Sequence, residues 1–348
     1  MKRRGCTRTD VVSTMVVFCC GLSAAAVATL GGQPGKPSVK DGTPPSRTAL
    51  LAKDQQHLRG IGQAMVIWAQ NNAESFPLPS AFDIKNQTIT TPGRGKDTTS
   101  HIMSMLLFNG FVPPEMLVSP VERNRRIKVE DKYAYTNPPK AVDPQLALWD
   151  PAFSADFTSS GGGSVSYAHL QPAGGRLARW KSWDIGPAPL LANRGPEIAE
   201  IKPNDNGEFG TYLRNLDAHS MRLWESPLPG SDEEVDGKVA FRGGDAGTDS
   251  DPTEEGEPAD TALKDASAAR AWSGHILAMD MSARFHKDLI RHSARVNPLD
   301  RRYETREHST RPDSIFFDEP EDPRSVNDYL GIFTHAGESP KDYRAIWD

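Results

Sequence analysis

The sequence predicts an α+β fold in which an N-terminal transmembrane helix precedes a domain with one long helix packed on an antiparallel β-sheet with large loop insertions. Three observations predict it. A charge-free apolar stretch follows a basic head, a long segment repeats large apolar residues at helical spacing, and short alternating runs lie between Gly and Pro clusters beyond it. With 348 residues the chain is long enough to bury a core of ordinary size. Its 37% hydrophobic and 25% charged residues describe a globular body, and 28 Pro with 29 Gly imply many turns and long loops. The net charge of −6 draws the whole molecule toward no polyanion, so no nucleic-acid partner is expected. All three cysteines, Cys6, Cys19 and Cys20, fall in the first 20 residues. The remainder can therefore form neither a disulfide framework nor a thiolate metal site.

At the N-terminus, Lys2, Arg3, Arg4 and Arg8 precede residues 11–31, which carry no charge and are long enough to cross a bilayer. No basic residue recurs before Lys36, so the positive-inside rule puts the head in the cytoplasm and everything after residue 32 outside. Two routes of processing compete. Ala26-Val27-Ala28 offers the small-x-small cleavage site of an ordinary secretory signal peptide. The string RRGCTRTDVV instead resembles the prepilin peptidase site of type IV pilins and type II secretion pseudopilins: basic residues, a Gly, the cut, and an acid at the fifth mature position. The resemblance implies cleavage between Gly5 and Cys6, with Asp10 as that acid, although the pattern usually has Phe and Glu at the last two places. A carboxylate just before an apolar span is costly in lipid and asks for a partner. In pilins that partner is the neighbouring subunit's N-terminal amine. Cys19 follows Phe18 and so lacks the small residue of a lipoprotein signal.

Residues 32–46 are rich in Gly, Pro and Ser and read as a linker. Behind it, Leu51, Leu58, Ile61, Met65 and Trp68 recur at steps of seven, three, four and three, which predicts an amphipathic helix over about 47–73. Ser46 suits its N-cap, and Asn71, Asn72 and Pro77 its stop. Met65 and Trp68 read as core. The string HLRGIGQAMVIWAQNNAESFP is similar to a segment that follows the leader in prepilin-like exported proteins of planctomycetes, matching it at Leu58, Arg59, Ile61, Gly62, Ala64, Asn72, Phe76 and Pro77. Gly60 stands for the usual Gln and Trp68 for the usual Tyr, and the Cys that opens the family segment is missing.

A second helix is predicted in SHIMSMLLF, ending at Asn109-Gly110 before a Pro-rich turn. There the family has a Cys-Pro pair of which only Pro120 is present. Strand-like runs follow at 133–137, 163–170 and 188–196. SVSYAH and LLANRGP resemble strings of the same family, with Asn193 where Asp is usual. Residues 231–268 hold twelve Asp or Glu against three Lys or Arg and few large apolar side chains, so they read as a solvated, disordered loop. WSGHILAMDMSARFHK then reads as a hairpin turning at Met279-Asp280. It resembles the family's C-terminal H-x(9)-D-G signature, with Asp280 on the Asp but Arg270 and Met281 on the His and Gly positions. The final stretch resembles the family's tail. The expected organisation is thus a leader at 1–10, a transmembrane helix at 11–31, a linker at 32–46, an extracytoplasmic domain at 47–230 with its acidic loop at 231–268, and a hairpin and tail at 269–348 completing that domain.

Catalytic and metal templates find little footing. His275, His286 and His292 show no HxH or HExxH spacing, and no metal is expected there. Two oxygen-rich turns, Asn204 to Glu208 and Asp245, Asp249 and Asp251, miss the twelve-residue calcium loop. Because some pseudopilins bind calcium in a C-terminal loop, calcium is the single cofactor the resemblance leaves open. The nucleophile elbow, the P-loop and the dinucleotide fingerprint are all missing. The Gly161-Gly162-Gly163-Ser164 run precedes a strand-like segment and reads as a loop. The basic run 291–308 reads as solvated surface or a partner for the acidic loop. No catalytic residue is expected. The resemblance implies a pilin-like or pseudopilin-like structural protein of the cell envelope, anchored in the inner membrane with its C-terminal domain periplasmic or extracellular. Its partners would be the membrane, prepilin peptidase and other pilin-like subunits. The alternative is a secreted binding or hydrolytic domain with a cleaved signal peptide.

Overall fold

Ser46 opens the long helix, α1 (Arg47–Gln70): its side chain accepts from Ala49 N at 3.2 Å, pairing one of the N–H groups that the first turn leaves without an intrahelical acceptor. The computed structural model describes residues 45–182, 186–203, 209–213, 272–286, 290–291, 313–318 and 324–347. All of them lie in one unit, Pro44–Asp348. Helix α1 stops three residues before the expected end. Asn72 Nδ2 donates to Trp68 O at 2.7 Å, and Ala73 and Glu74 turn left-handed at φ 51° and 62°, which no helix continues. Leu58, Ile61 and Met65 are fully buried and Trp68 nearly so, as the spacing predicts.

A short turn of helix, α2 (Pro79–Phe82), precedes α3 (Thr99–Phe108), whose Thr98 cap accepts from His101 N at 3.4 Å. It ends where expected, with Gly110 at φ 71°. Among the described residues ten strands follow: β1 (Tyr167–Leu170), β2 (Pro189–Asn193), β3 (Ile198–Pro203), β4 (Phe209–Leu213), β5 (Gly274–Ala278), β6 (Ala283–His286), β7 (Ile290–Arg291), β8 (Asp313–Ser314), β9 (Leu330–His335) and β10 (Arg344–Ile346). Six of them form a sheet in the order β10-β9-β1-β2-β5-β6, antiparallel at every pairing. Strands β3 with β4, and β7 with β8, make two separate ribbons. The domain is therefore α+β with an antiparallel sheet.

Two predicted strands are corrected. Residues 133–137 form none: the Ala134 backbone N–H goes to Asp150 Oδ2 at 3.0 Å instead of to a neighbouring strand, and the Tyr133 side chain is tied to α3 by donating its OH to Ser104 O at 2.7 Å. The run 163–170 is a strand only from Tyr167 onward. Its first part pairs with loops, Gly163 N with Arg126 O and Ser166 N with Leu117 O, each at 2.9 Å. The predicted hairpin is present as β5 and β6, with Met281 left-handed at φ 62° where the family signature has Gly.

Helix α1 packs on β2, β5 and β6. Gly62 makes the closest approach, since a Cβ there would lie 2.4 Å from Leu277 Cδ2. At the end of the helix Phe76 meets Trp180 edge-on at 5.8 Å, and Trp180 Nε1 donates to Pro77 O at 3.1 Å. Leu58, Ile61 and Gly62 thus lie on the buried side of α1, while Phe76 and Pro77 meet Trp180 in the segment before β2. Helix α3 is tied to the other end of the sheet through Thr99. Its hydroxyl accepts from Phe333 N at 2.7 Å and donates to His169 Nε2 at 2.8 Å. The His169 Nδ1–H then donates to Leu170 O, so the ring is neutral, and burial lowers its pKa from 6.5 to about 4.

Among the described residues no helix is long and apolar enough to cross a membrane. The leader at 1–10, the predicted span at 11–31, nearly all of the linker and the acidic loop at 231–268 lie outside the described residues.

Two outcomes follow from this packing. Gly62→Val forces Leu277 aside in a full core, and chemical denaturation should read a loss of about 2 kcal/mol; an unchanged midpoint would contradict the close approach. Between pH 6.5 and about 4 the unfolded chain binds a proton that folded His169 refuses. Stability is therefore complete above pH 6.5 and falls by roughly 3 kcal/mol toward pH 4. His169→Gln should flatten that part of the stability-against-pH curve.

Candidate functional site

Asp54 sits on the sheet-facing side of α1 and is fully buried. An ionised carboxylate without partners at such a place would cost several kcal/mol, so its surroundings are informative. Oδ1 accepts from the Ser119 hydroxyl, from Tyr167 OH at 2.9 Å and from Asn193 Nδ2 at 3.1 Å. Oδ2 lies 2.7 Å from His275 Nδ1. A carboxylate only accepts, so Nδ1 carries the proton and the imidazole is oriented. Asn193 closes the ring of contacts, because its Oδ1 accepts the His275 backbone N–H at 2.6 Å.

The parts of the site come from the helix, the turn after α3 and three adjacent strands. Tyr167 and Asn193 are register partners on β1 and β2, and His275 stands on β5. Burial and then the neighbouring Asp54 carboxylate hold the Tyr167 phenol well above its usual pKa of 10, so it serves as a neutral donor. Beside it lies an ion pair. Arg194 donates to both Glu122 oxygens, at 3.0 and 2.7 Å, in the parallel two-point geometry that guanidinium and carboxylate favour. Burial alone would raise the Glu122 carboxyl, but the Arg194 guanidinium holds it below the usual carboxylate range. Trp272 Nε1 donates to Arg194 O at 3.0 Å and fixes that backbone.

The two family-like strand strings therefore meet here. SVSYAH supplies Tyr167, and LLANRGP supplies Asn193 and Arg194. Ser119, where the family has Cys, binds Asp54. The hub itself was not read from the sequence. Its signal was a single acid inside an otherwise apolar helical face, which charge counting passes over.

An oriented Asp–His pair can support base catalysis when a nucleophile faces the other imidazole nitrogen. Here the Ser119 and Tyr167 hydroxyls donate to the carboxylate instead, and no described residue bonds to His275 Nε2. What the arrangement does is satisfy one buried carboxylate from four separate stretches of chain.

The sequence-derived candidates are placed as follows. The processing residues Gly5, Cys6 and Asp10 lie outside the described residues, as do His292, Asn204 to Glu208, and Asp245, Asp249 and Asp251. His275 pairs in register with Phe285, and His286 with Gly274, so alternation turns the two histidines to opposite faces of the hairpin. Among the described residues no group of three His, Cys, Asp or Glu is placed to hold a metal. Asp280 is exposed at the hairpin tip, where its Oδ1 accepts from Ser282 N at 2.9 Å. No protein-family model, curated protein or solved structure matches the chain.

The hub sets an order of stabilities. His275→Ala leaves a buried carboxylate short of a partner and should cost roughly 2–5 kcal/mol. Tyr167→Phe removes one neutral donor and should cost about 1–2 kcal/mol. Urea titrations at neutral pH measure both, and equal, small losses would show that Asp54 does not govern the packing.

Proposed function

We propose that the chain is an exported, membrane-anchored, pilin-like or pseudopilin-like structural protein of the cell envelope. The observation that carries this reading is the N-terminus: a basic head, Gly5-Cys6, Asp10, and an uncharged apolar stretch of spanning length. It sets the domain outside the cytoplasm, in the periplasm or beyond, and gives prepilin peptidase and other pilin-like subunits as partners. Asp10 then contributes to subunit registration by meeting a neighbour's N-terminal amine in the membrane. Support also comes from the residues the family resemblance picks out. Leu58, Ile61, Gly62, Phe76, Tyr167, Asn193 and Arg194 are buried or packing residues, as a shared structural scaffold requires. No catalytic role is proposed.

The second reading is a secreted binding or hydrolytic domain released by signal peptidase. Two features favour it: Ala26-Val27-Ala28, and the Pro- and Gly-rich residues 32–46, which interrupt the continuous helix that fibre-forming pilins use.

Mass spectrometry of the mature N-terminus decides between them. A chain beginning at Cys6 is the expected result, one beginning near Thr29 selects the secreted reading, and one retaining Met1 indicates an uncleaved anchor. If Asp10→Ala leaves co-purification with pilin-like subunits unchanged, the registration role is lost while the anchor stands.

A further inference from the structure

The Glu122 carboxylate that receives Arg194 also begins a basic loop. Residues 123–128 read Arg-Asn-Arg-Arg-Ile-Lys, four cations in six positions of a chain whose net charge is −6. Glu122 Oε1 accepts the backbone N–H of Arg123 at 2.9 Å and of Asn124 at 2.8 Å. Asn124 in turn accepts from Arg126 N through its side chain and from Ile127 N through its carbonyl, at 3.0 and 2.9 Å. The loop is wound tight before any ligand arrives.

Its other side is fixed by the glycine run. Gly163 N donates to Arg126 O at 2.9 Å and Lys128 N donates to Gly163 O at 3.0 Å, a parallel bridge centred on Ile127. Gly162, at φ 74°, lies so close that a Cβ would be 2.4 Å from Arg126 O. Only glycine permits that approach. Ile127 is consequently buried while Arg125, Arg126 and Lys128 are exposed.

These three cations have no described carboxylate at ion-pair distance. Among the described residues none of them forms an ion pair, and the Arg126 guanidinium reaches only Thr158 O, at 3.3 Å. Glu122 is taken by Arg194. Asp156 Oδ1 is taken by Thr158 N, Thr158 Oγ1 and Ser159 N. Glu130 Oε1 accepts Lys132 N at 2.9 Å. Like charges held on a rigid backbone repel one another, and an anion arriving among them relieves the repulsion.

We propose that residues 123–128, with the hydroxyl oxygens of Thr158 and Ser159 alongside, form a binding site for a sulfated polysaccharide. The chemistry selects this class. Arginine forks match oxyanions such as sulfate, and the Thr158 and Ser159 hydroxyls, which donate to Asp156, keep lone pairs that accept from sugar hydroxyls. Base stacking needs aromatic platforms, and the loop carries no aromatic residue. Among the described residues Val129 is the single large apolar side chain exposed next to the loop, so little there would insert below lipid headgroups. The inference goes beyond the envelope role and stands on the folded domain alone, whichever way the N-terminus is processed.

Binding of the full chain, in nonionic detergent, to dextran sulfate and to uncharged dextran tests it. Dextran sulfate should bind with a Kd that rises steeply with salt, as release of condensed counterions requires, and uncharged dextran should not bind. Arg125→Gln, Arg126→Gln and Lys128→Gln together should weaken binding about tenfold or more at low salt. A control with the same charge change at exposed Lys53, Arg59 and Lys140 should stay within about twofold of the parent. The charge-keeping pair Arg125→Lys and Arg126→Lys should retain most of the affinity, which separates loss of charge from loss of fold. Failure of the parent to bind dextran sulfate overturns the proposal. So do equal losses in the two triple variants, or equally tight binding of duplex DNA.

Discussion

One buried carboxylate organises this domain. Asp54 has no access to water, and each group that satisfies it comes from a different stretch of chain: the turn after α3, β1, β2 and β5. A one-residue slip of any of these strands would turn its contributor to the opposite face and leave the charge unpaired. Helix position and strand register are thereby set together. The apolar contacts of α1, which tolerate sliding, could not do this alone. The Asn193 side chain is central, because it donates to Asp54 and accepts from the His275 backbone, linking β2 to both helix and hairpin.

The same device recurs wherever irregular chain must be held. With no cysteine after residue 20, the long loops have no covalent ties. Asp83 gathers the turn that follows it by accepting from Gln87 N and Thr88 N, and pairs with Lys96 at 2.8 Å, both side chains being buried. Arg176, also buried, donates to Gln171, Asp318 and Asn327, joining the segment after β1 to the tail. Buried pairs of this kind add little net stability over an apolar core, but removing one partner is expensive. Their effect is to make one loop arrangement far better than its competitors.

This construction fixes irregular loops as firmly as strands. The core holds the loops, among them the one that carries the exposed cations at 125, 126 and 128 between Glu122 and the glycine run. The proposed anchor and the proposed polysaccharide site fit the same envelope setting, yet they rest on separate parts of the chain and separate physics. One is the cost of moving charge through lipid. The other is charge repulsion on a rigid loop.

What the sequence by itself determined was whatever depends on neighbours in the chain. The span of α1 and its Ser46 cap, the end of α3 at Asn109, and the β5–β6 hairpin all follow from spacing, capping and turn chemistry within a few residues. The α+β class follows from the succession of those elements. Tertiary structure decided whatever depends on partners far away. Residues 133–137 have strand-like composition, yet the Ala134 backbone N–H goes to the distant Asp150 side chain and the Tyr133 hydroxyl to Ser104 O on α3. Strands β9 and β10 join the sheet beside β1 through pairings that no local pattern encodes. Asp54 was one acid in a helix until folding brought Tyr167, Asn193 and His275 to it. The physical reason is the range of the forces: capping and periodicity act within a turn or two of chain, whereas a buried charge is satisfied only by groups that the whole fold delivers.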